Sequence, residues 1–436
     1  VNLIPSEQTA SAAVRRLSLM DPAFRYAEHR ALPAFMDAEV FYYQGTDFIA
    51  GVEAMLNGEM ARYLGCCEVE SRVISGQMAN AVVYSALLDY LNRNDRKAEP
   101  RRIRSVLNNH IIRGGHLSAQ PMGALANFVR IDPRLDRPAV VNFPVLPENP
   151  YKIDVEAAKA LISQERPELV IFGKSMVLHR EPVREISTFI REQGIDAIVM
   201  YDMAHVLGLV GPHFQEPFAE GADLVTGSTH KTFFGTQRGI VGANWQEDQK
   251  RYALWEAVRS RTFPGSVSNH HLGTLLGLLM ALYEMNAFKD PYQRAVIGNA
   301  KAFAGALSDA GLAVAGDPAV SFTETHQVIV KVAYAKAVEA ARLLEANNII
   351  CNYQAAPDEE GFTAAGALRL GVQEMTRFGM GPDDFRELAQ MIRDVVAAGR
   401  TVKEEATAFR QRFLTMQYCF PDDSFGDLPE ELHRMV

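Results

Sequence analysis

The stretch ADLVTGSTHKTFFGTQRG, residues 222–239, combines a strand-like run with an unusual lysine. Residues 222–228 are typical of a buried strand, and Lys231 follows between His230 and Thr232. Lysines normally lie on solvated surfaces, and Lys231 taken alone fits an ordinary surface lysine after a strand. A lysine set among small residues at a strand end can instead be desolvated, which lowers the pKa of its amine and makes it a nucleophile toward carbonyl groups.

Two further strand-like runs precede this stretch, ELVIFG (168–173) and DAIVMYD (196–202), with the helix-like EISTFIREQG (185–194) between them. Short apolar strands alternating with helices predict a mostly parallel sheet that is covered on both faces. Ligands bind at the carboxyl ends of the strands in such sheets. Asp202 and Lys231 both lie at or just past a predicted strand end, so we expect them at one site.

The pattern changes after a long helical connection at 270–305. Two strand-like runs and two amphipathic helical runs follow: HQVIVKVA (326–333), AKAVEAARLLEANN (335–348), GALRLGV (366–372) and DDFRELAQMIRDVVAAG (383–399). The sequence therefore predicts an α/β protein with an N-terminal segment over 1–20, a large domain over 21–289 and a smaller α+β domain over 290–436.

Composition limits the function classes. The 436 residues carry a formal net charge of −9 and no long basic run, which argues against nucleic-acid binding. The four cysteines include no CxxC pair, so we expect neither a disulfide framework nor a metal site. The longest apolar run, LGTLLGLLMALYEM, is too short to span a bilayer, and no secretory signal pattern opens the chain. We expect a cytoplasmic protein with no membrane partner.

Three features together indicate pyridoxal 5'-phosphate (PLP). The cofactor needs a lysine for its aldehyde, an acid for its ring nitrogen and a cradle for its phosphate. Lys231 suits the first need, and Asp202, as a buried carboxylate that requires a cationic partner, suits the second. In SGQMAN (75–80), Ser75 and Gly76 precede a predicted helix whose N-terminal amides favour an anion.

The motifs YDMAHVLGLV (201–210) and STHKT (228–232) match the D-M-A-H-x-x-G-L-V and T-T-H-K-T patterns of a known family. With them, the chain resembles serine hydroxymethyltransferase and its relatives among the fold-type I PLP enzymes (aspartate aminotransferase fold). The resemblance runs from NLIPSE (2–7) to ALRLGVQEMTRFGM (367–380). It implies a large domain built on a mostly parallel sheet of the seven-stranded type and a smaller α+β C-terminal domain.

The resemblance also implies roles for individual residues. Lys231 would form the internal aldimine, Asp202 would keep the ring nitrogen protonated, and His230 would lie beside the lysine. The further cofactor contacts implied are His116 stacked on the ring, Ser175 and His205 at the 3-oxygen side, Ser75, Gly76, Gln77 and Ser228 at the phosphate, and Tyr43 and Gly265 from a neighbouring subunit. The substrate contacts implied are Arg369 and Ser6 at the carboxylate, with Tyr43, and Tyr26 and Glu28 beside the hydroxyl.

The activity implied is aldol-type cleavage or formation of the Cα–Cβ bond of a β-hydroxy-α-amino acid, through a glycine or alanine quinonoid. Lys231, Glu28, Tyr26, His116 and His230 would be the catalytic residues. Substrates would be small amino acids of the serine, threonine, glycine or 2-methylserine type. Active sites shared between subunits imply a homodimer or a dimer of dimers.

Four departures from the family pattern concern the acceptor. They are Gln77 where the family has serine, GTQRG (235–239) after the lysine, FPGSVSNHH (263–271) in place of a glycine-rich loop, and Gln354 where the family has asparagine near folate. We hypothesise that His270 or His271 compensates in the changed loop. The departures argue against tetrahydrofolate and for a threonine transaldolase or aldolase, whereas Tyr26, Glu28 and the Tyr42–Tyr43 pair argue for folate. An aminotransferase or racemase, or a PLP-free relative, stays open as a further class.

Overall fold

The computed structural model describes residues 1–36, 38–94, 97–357, 359, 361, 364–421 and 426–427. The α-helices of these residues are Ala12–Ser18 (α1), Asp47–Leu64 (α2), Gly76–Asn92 (α3), Val155–Glu165 (α4), Val183–Glu192 (α5), Pro217–Glu220 (α6), Tyr252–Thr262 (α7), Leu272–Asp309 (α8), Ala337–Ala346 (α9), Gln373–Arg377 (α10), Pro382–Val396 (α11) and Lys403–Gln411 (α12).

The strands are His29–Leu32 (β1), Ala38–Phe41 (β2), Glu68–Glu70 (β3), Val106–Asn108 (β4), Ile131–Asp132 (β5), Arg137–Pro138 (β6), Val140–Asn142 (β7), Val145–Leu146 (β8), Asn149–Ile153 (β9), Leu169–Phe172 (β10), Ile198–Asp202 (β11), Leu224–Ser228 (β12), Gly239–Ala243 (β13), Ala313–Val314 (β14), Gln327–Lys331 (β15), Asn352–Gln354 (β16) and Ala367–Gly371 (β17).

A seven-stranded sheet with the order β3-β13-β12-β11-β10-β4-β7 forms the centre of the larger part of the chain. All of its strands run in the same direction except β13, which is antiparallel to both of its neighbours. Leu169 and Ile171 of β10 pack into one hydrophobic cluster, and Val170 and Phe172 pack into another on the opposite face. Both faces are therefore covered, which explains the nearly continuous apolar runs and confirms the predicted mostly parallel sheet.

A second, four-stranded antiparallel sheet has the order β14-β15-β17-β16. Its strands β15 and β17 and the helices α9 and α11 confirm the runs predicted after residue 305. Helix α8 extends over 38 residues and contacts both sheet regions. The division of the chain into segments 1–20, 21–289 and 290–436 stays a prediction.

The N-terminal segment joins the smaller sheet. The main-chain N–H of Leu3 donates to the carbonyl of Ile350 at 2.7 Å, and the N–H of Gly371 donates to the carbonyl of Leu3 at 2.7 Å. A Cβ atom on Gly371 would lie 2.4 Å from Cα of Pro5, so the close approach of the two segments requires glycine. Residues 3–6 are thereby held beside the end of β17.

Two sequence predictions concern the environment of the chain. None of the four cysteines, all of which are among the described residues, is in a disulfide bond. Among the helices that the structure describes, none combines the length and apolar character needed to cross a bilayer. Most of the acidic stretch 421–436 lies outside the described residues.

Neighbouring leucines of α9 provide a test of the smaller core. Leu344 is 0% exposed and Leu343 is 45% exposed. Leu344→Ala should lower the free energy of unfolding by about 2–5 kcal/mol because it leaves a cavity, whereas Leu343→Ala should change it by less than about 1 kcal/mol. Denaturant unfolding followed by circular dichroism measures both variants, and equal losses would contradict the placement of α9.

Candidate active site

The start of α3 lies against the carboxyl ends of β11 and β12, and Lys231 lies three residues past the end of β12. Its Nζ atom lies 3.4 Å from Nε2 of His205. Burial lowers the pKa of Lys231 to about 8; the nearby Arg369 adds to this shift, and Asp202 opposes it. Lys231 is thus a partly desolvated amine at a strand edge, as its sequence setting indicated.

Asp202 ends β11 and is 3% exposed. Its Oδ2 accepts hydrogen bonds from Nδ2 of Asn80 at 2.7 Å and from Nδ1 of His116 at 2.5 Å, and its Oδ1 accepts one from the main-chain N–H of Ala204 at 3.1 Å. Burial alone would raise the pKa of Asp202, but His116 and these donors outweigh burial and hold the pKa below its usual value. Asp202 is therefore a buried carboxylate kept in its charged form.

Asn80 is a site residue to which the sequence reasoning gave no role. It is fully buried, and its Nδ2 also donates to Oγ of Ser118 at 2.6 Å. Its Oδ1 accepts from Oγ1 of Thr226 at 2.5 Å, a residue opposite Asp202 in the β11–β12 pairing. The signal was present in SGQMAN, because an amide four residues after the helix start Gly76 shares its face of α3.

The first turn of α3 forms a close junction with β12. Ser75 caps the helix, and its Oγ accepts from the N–H of Met78 at 3.1 Å. A Cβ atom on Gly76 would lie 2.3 Å from Oγ of Ser228, so any larger residue here would displace the Ser228 hydroxyl. Ser228 is buried and Gln77 is exposed. The predicted cradle residues therefore surround a helix N-terminus, which favours an anion.

Two histidines flank Lys231 with unused ring nitrogens. Within the described part of the chain, the Nδ1 atoms of His205 and His230 are buried and have no hydrogen-bond partner. Burial lowers the pKa of His230 to about 4 and the pKa of His205 well below its ordinary value, with Lys231 adding to both shifts. The ring of His116 lies 5.3 Å from that of His205 at 82°. Neutral imidazoles with free nitrogens are suited to a polar ligand.

Arg369 of β17 brings a positive charge to the same place. It is 4% exposed, and burial lowers its pKa to about 10. Its Nε donates to Oδ1 of Asn352 at 3.2 Å and its Nη1 to the carbonyl of Ser175 at 2.9 Å. It forms no ion pair with any carboxylate that the structure describes. A buried guanidinium bound only to neutral oxygens can take up an anionic ligand.

His326 is a second residue that sequence reasoning missed. It is fully buried, its Nε2 lies 3.1 Å from the carbonyl oxygen of Pro5, and burial lowers its pKa to about 3. It thereby links β15 to the segment that carries Ser6. Ser6 follows Pro5, which packs against Gly371 at the end of β17, two residues after Arg369.

The remaining predicted residues flank β1, β2 and α7. Tyr26 and Tyr43 are 51% and 43% exposed, with ring centroids 5.1 Å apart. Glu28 is half-buried beside them, and Gly265 lies in the loop after α7. None of the hydrogen bonds or ring contacts among the described residues joins these four to Lys231 or Asp202.

The changed loops are built into the interior. Arg238 is fully buried, and its guanidinium donates to the carbonyls of His270 and Ser71 at 2.6 and 2.9 Å. His270 is 1% exposed, with Nε2 at 3.1 Å from Oε2 of Glu53, while His271 is exposed. Arg238 therefore stabilises the loop 263–271, and the ring of His270 contacts Glu53.

A cavity of about 380 Å³ lies next to Ser175. Its wall consists of Ile111, Gly114, Gly115, Leu117, Ser175, Met176, Tyr353, Gln354, Ala355 and Ala365. Most of these side chains are apolar, and Gln354 supplies a polar amide. The cavity shares Ser175 with the Arg369 hydrogen bond, so it adjoins the site.

The lowered pKa of Lys231 can be tested on the apoprotein. The neutral fraction of its amine should rise through about pH 8, whereas ordinary lysines become neutral only near pH 10.4, on the order of two units higher. Reductive methylation at several pH values, read by peptide mass spectrometry, gives the midpoint for Lys231 and for surface lysines in one sample. A midpoint equal to that of the surface lysines would contradict the burial of Lys231.

Comparison with known proteins agrees with this geometry. A family model described as serine hydroxymethyltransferase matches residues 1–392. Serine hydroxymethyltransferases from Korarchaeum cryptofilum and Pyrobaculum calidifontis are 36% and 37% identical over 430 and 424 residues, covering 96% of this chain in each case and 93% and 90% of the relatives. The crystal structure of L-threonine transaldolase from Pseudomonas fluorescens in the internal aldimine state aligns with a TM-score of 0.82 and 26% identity, covering 100% of this chain and 92% of that chain. This chain is a PLP-dependent transferase and belongs to the serine hydroxymethyltransferase family.

Proposed function

We propose that the protein makes and breaks the Cα–Cβ bond of β-hydroxy-α-amino acids. The observation that carries this proposal is that two buried basic groups lie near each other. Lys231 is an amine of lowered pKa, and Arg369 is a guanidinium that has no carboxylate partner among the described residues. The first suits a cofactor aldehyde and the second suits an amino-acid carboxylate. Small amino acids of the serine, threonine, glycine or 2-methylserine type are the proposed substrates.

The residues around Lys231 fit PLP. Lys231 would hold the aldehyde carbon, Asp202 the ring nitrogen, and Ser75, Gly76 and Ser228 the phosphate. The free Nδ1 atoms of His205 and His230 and the close Gly76–Ser228 approach support this fit. His116 and Ser175 complete the proposed set, with Gln77 at the exposed side of the cradle. When bound, PLP supplies an electron sink that allows a bond at Cα to break.

Asp202 has one task in this scheme. Asn80 and His116 hold its carboxylate in a buried position and keep its pKa low. A carboxylate that remains charged stabilises a proton on a neighbouring ring nitrogen. Asn80, Ser118 and Thr226 therefore act as positioning residues for Asp202.

Arg369 determines which bond reacts. Asn352 and the carbonyl of Ser175 fix its guanidinium from one side, which leaves its remaining donors for a carboxylate. A bidentate pair would fix the orientation of the substrate about Cα, with Ser6 beside it. Orientation selects cleavage of Cα–Cβ over loss of another group from Cα.

Tyr26, Glu28, Tyr43 and Gly265 are proposed to serve the site of a neighbouring copy in a homodimer or dimer of dimers. None of the hydrogen bonds or ring contacts among the described residues joins them to Lys231 of their own chain, which supports this assignment. Large exposed apolar side chains surround them in sequence, as expected of a covered surface: Leu19, Phe24, Phe35, Met36, Phe48 and Met55. Glu28 would accept the proton of the substrate hydroxyl on cleavage and return it on synthesis, and Tyr26 would orient that hydroxyl.

A second candidate differs in the acceptor. The cavity beside Ser175 has a mostly apolar wall, to which Gln354 contributes. Such a cavity suits an apolar aldehyde at least as well as a polar pteridine ring. The structural neighbour described as an L-threonine transaldolase supports the same alternative. We propose a cytoplasmic location for either activity, which fits four cysteines that form no disulfide among the described residues.

A substrate screen on the cofactor-loaded protein tests the proposal. Serine, threonine and 2-methylserine should each release an aldehyde with glycine or alanine. Glycine formation from serine that needs tetrahydrofolate would support hydroxymethyl transfer, and folate-independent exchange from threonine to an added aldehyde would support transaldolase activity. Formation of a 2-oxo acid without aldehyde would contradict both and indicate an aminotransferase. Absence of a visible cofactor band after addition of PLP would contradict catalysis by Lys231.

Arg369→Lys tests carboxylate recognition. The variant should raise the KM for the amino acid by roughly tenfold to a hundredfold, because lysine cannot form the bidentate pair. The visible cofactor band should remain, since Lys231 and Asp202 are unchanged. Arg386→Lys, at a largely exposed arginine on α11, is the matched control and should leave KM unchanged. An unaltered KM in Arg369→Lys would remove Arg369 from the substrate site.

A further inference from the structure

Strands β1 and β2 form an antiparallel two-stranded ribbon whose base carries Tyr26 and Glu28 before β1 and Tyr42 and Tyr43 after β2. The main-chain N–H of Tyr42 donates to the carbonyl of Glu28 at 3.0 Å, and the rings of Tyr26 and Tyr43 lie 5.1 Å apart. Any shift of the ribbon therefore moves the side chains proposed to complete a neighbouring site.

His29, the first residue of β1, has a carboxylate at each ring nitrogen. Its Nδ1 lies 2.8 Å from Oε2 of Glu39, and its Nε2 lies 2.9 Å from Oε1 of Glu53. The ring is 7% exposed and stacks on Phe41 at a centroid distance of 4.5 Å. Glu39 belongs to the ribbon and Glu53 to α2, so His29 joins the ribbon to the body of the protein.

The ring of His29 has a carboxylate at each of its two nitrogens, whereas a neutral imidazole has a single N–H group. An ionised carboxylate can only accept. Both contacts of His29 are therefore hydrogen bonds only when both ring nitrogens carry protons. Burial alone would raise the pKa of Glu53, but bonds from His270 and His29 hold it well below its usual range, so Glu53 is ionised.

Glu53 also holds the loop 263–271. Its Oε2 lies 3.1 Å from Nε2 of His270. The neighbouring Asn269 donates from Nδ2 to the carbonyl of Arg25 at 2.8 Å, next to the ribbon base. One buried carboxylate thus connects both segments that the chain is proposed to lend to a neighbouring copy.

Three arginines lie near the carboxylates that contact His29. Arg72 lies 3.9 Å from Glu53, is bonded to Glu70 at 2.6 Å and donates to the carbonyl of His29 at 2.9 Å. Arg259 of α7 pairs with Glu39, and Arg238 adds a positive charge near Glu53. The charged and titratable groups facing the ring are Glu39, Glu53, Glu70, Arg72, Arg238, Arg259 and His270.

We propose that His29 is a positioning residue that holds the ribbon, and with it Glu28, in place for the active site of a neighbouring copy. The proposal rests on the proposed function. Replacing the imidazole removes the contact between the ribbon and Glu53 of α2 together with the contact to Glu39. The ribbon loosens, and Glu28 is no longer held.

His29→Gln tests this role with two independent readouts. Hydrogen–deuterium exchange of residues 29–41 should be faster in the variant than in the wild-type protein at the same pH. The kcat should fall by roughly tenfold to a hundredfold because Glu28 is misplaced, while the KM for the amino acid, set by Arg369, should change by less than about twofold. His213→Gln removes another histidine–carboxylate contact, to Asp290 at 2.6 Å, and should alter neither readout.

Mixed dimers show on which copy His29 acts. A dimer of one His29→Gln subunit and one Lys231→Ala subunit should recover activity, because one site combines an intact lysine with an intact ribbon. Unchanged exchange in His29→Gln, an unchanged kcat, or no recovery in the mixed dimer would each overturn the proposal. Failure of the proposed function itself is distinguishable, because the wild-type protein would then yield no aldehyde in the substrate screen.

Discussion

The buried carboxylate of Asp202 is the constraint on which the site depends. A charge at the end of a central strand is tolerated only when donors surround it, and here they come from α3, from the His116 loop and from the turn after β11. These donors fix the approach of α3 to the sheet, which in turn places Gly76 against Ser228. The same packing that satisfies one carboxylate thus shapes the anion cradle.

The charges of the molecule form two separate systems. Lys231, His205 and Arg369 lie at one site, and burial lowers the pKa of each of them. Each group is therefore available to bind a ligand. Around Glu53, by contrast, the carboxylate contacts His29 and His270 and holds two peripheral segments. An uncompensated buried charge indicates binding, whereas a compensated cluster indicates positioning.

Much of the fold could be predicted because buried parallel strands are apolar along their whole length. The runs at 168–173, 196–202 and 222–228 are strands within two residues of their expected ends. The hydrogen-bond partners of Asp202 could not be predicted, because Asn80 and Ser118 are 122 and 84 residues away from it in sequence. The compensating role of His270 was equally hidden, since its partner Glu53 lies 217 residues earlier.

The sequence by itself placed an acid and a lysine at the ends of two predicted strands and Ser75 and Gly76 before a predicted helix. The acid and the lysine lie within motifs that identify the family. Local patterns suffice for this because strand and helix signals depend on neighbouring residues. Only the tertiary structure decided which groups are buried and which carboxylates have positively charged partners. It also decided that Arg369 has no carboxylate partner among the described residues. Desolvation and pairing depend on atoms brought together from distant segments, and these set the pKa values and the availability of each group.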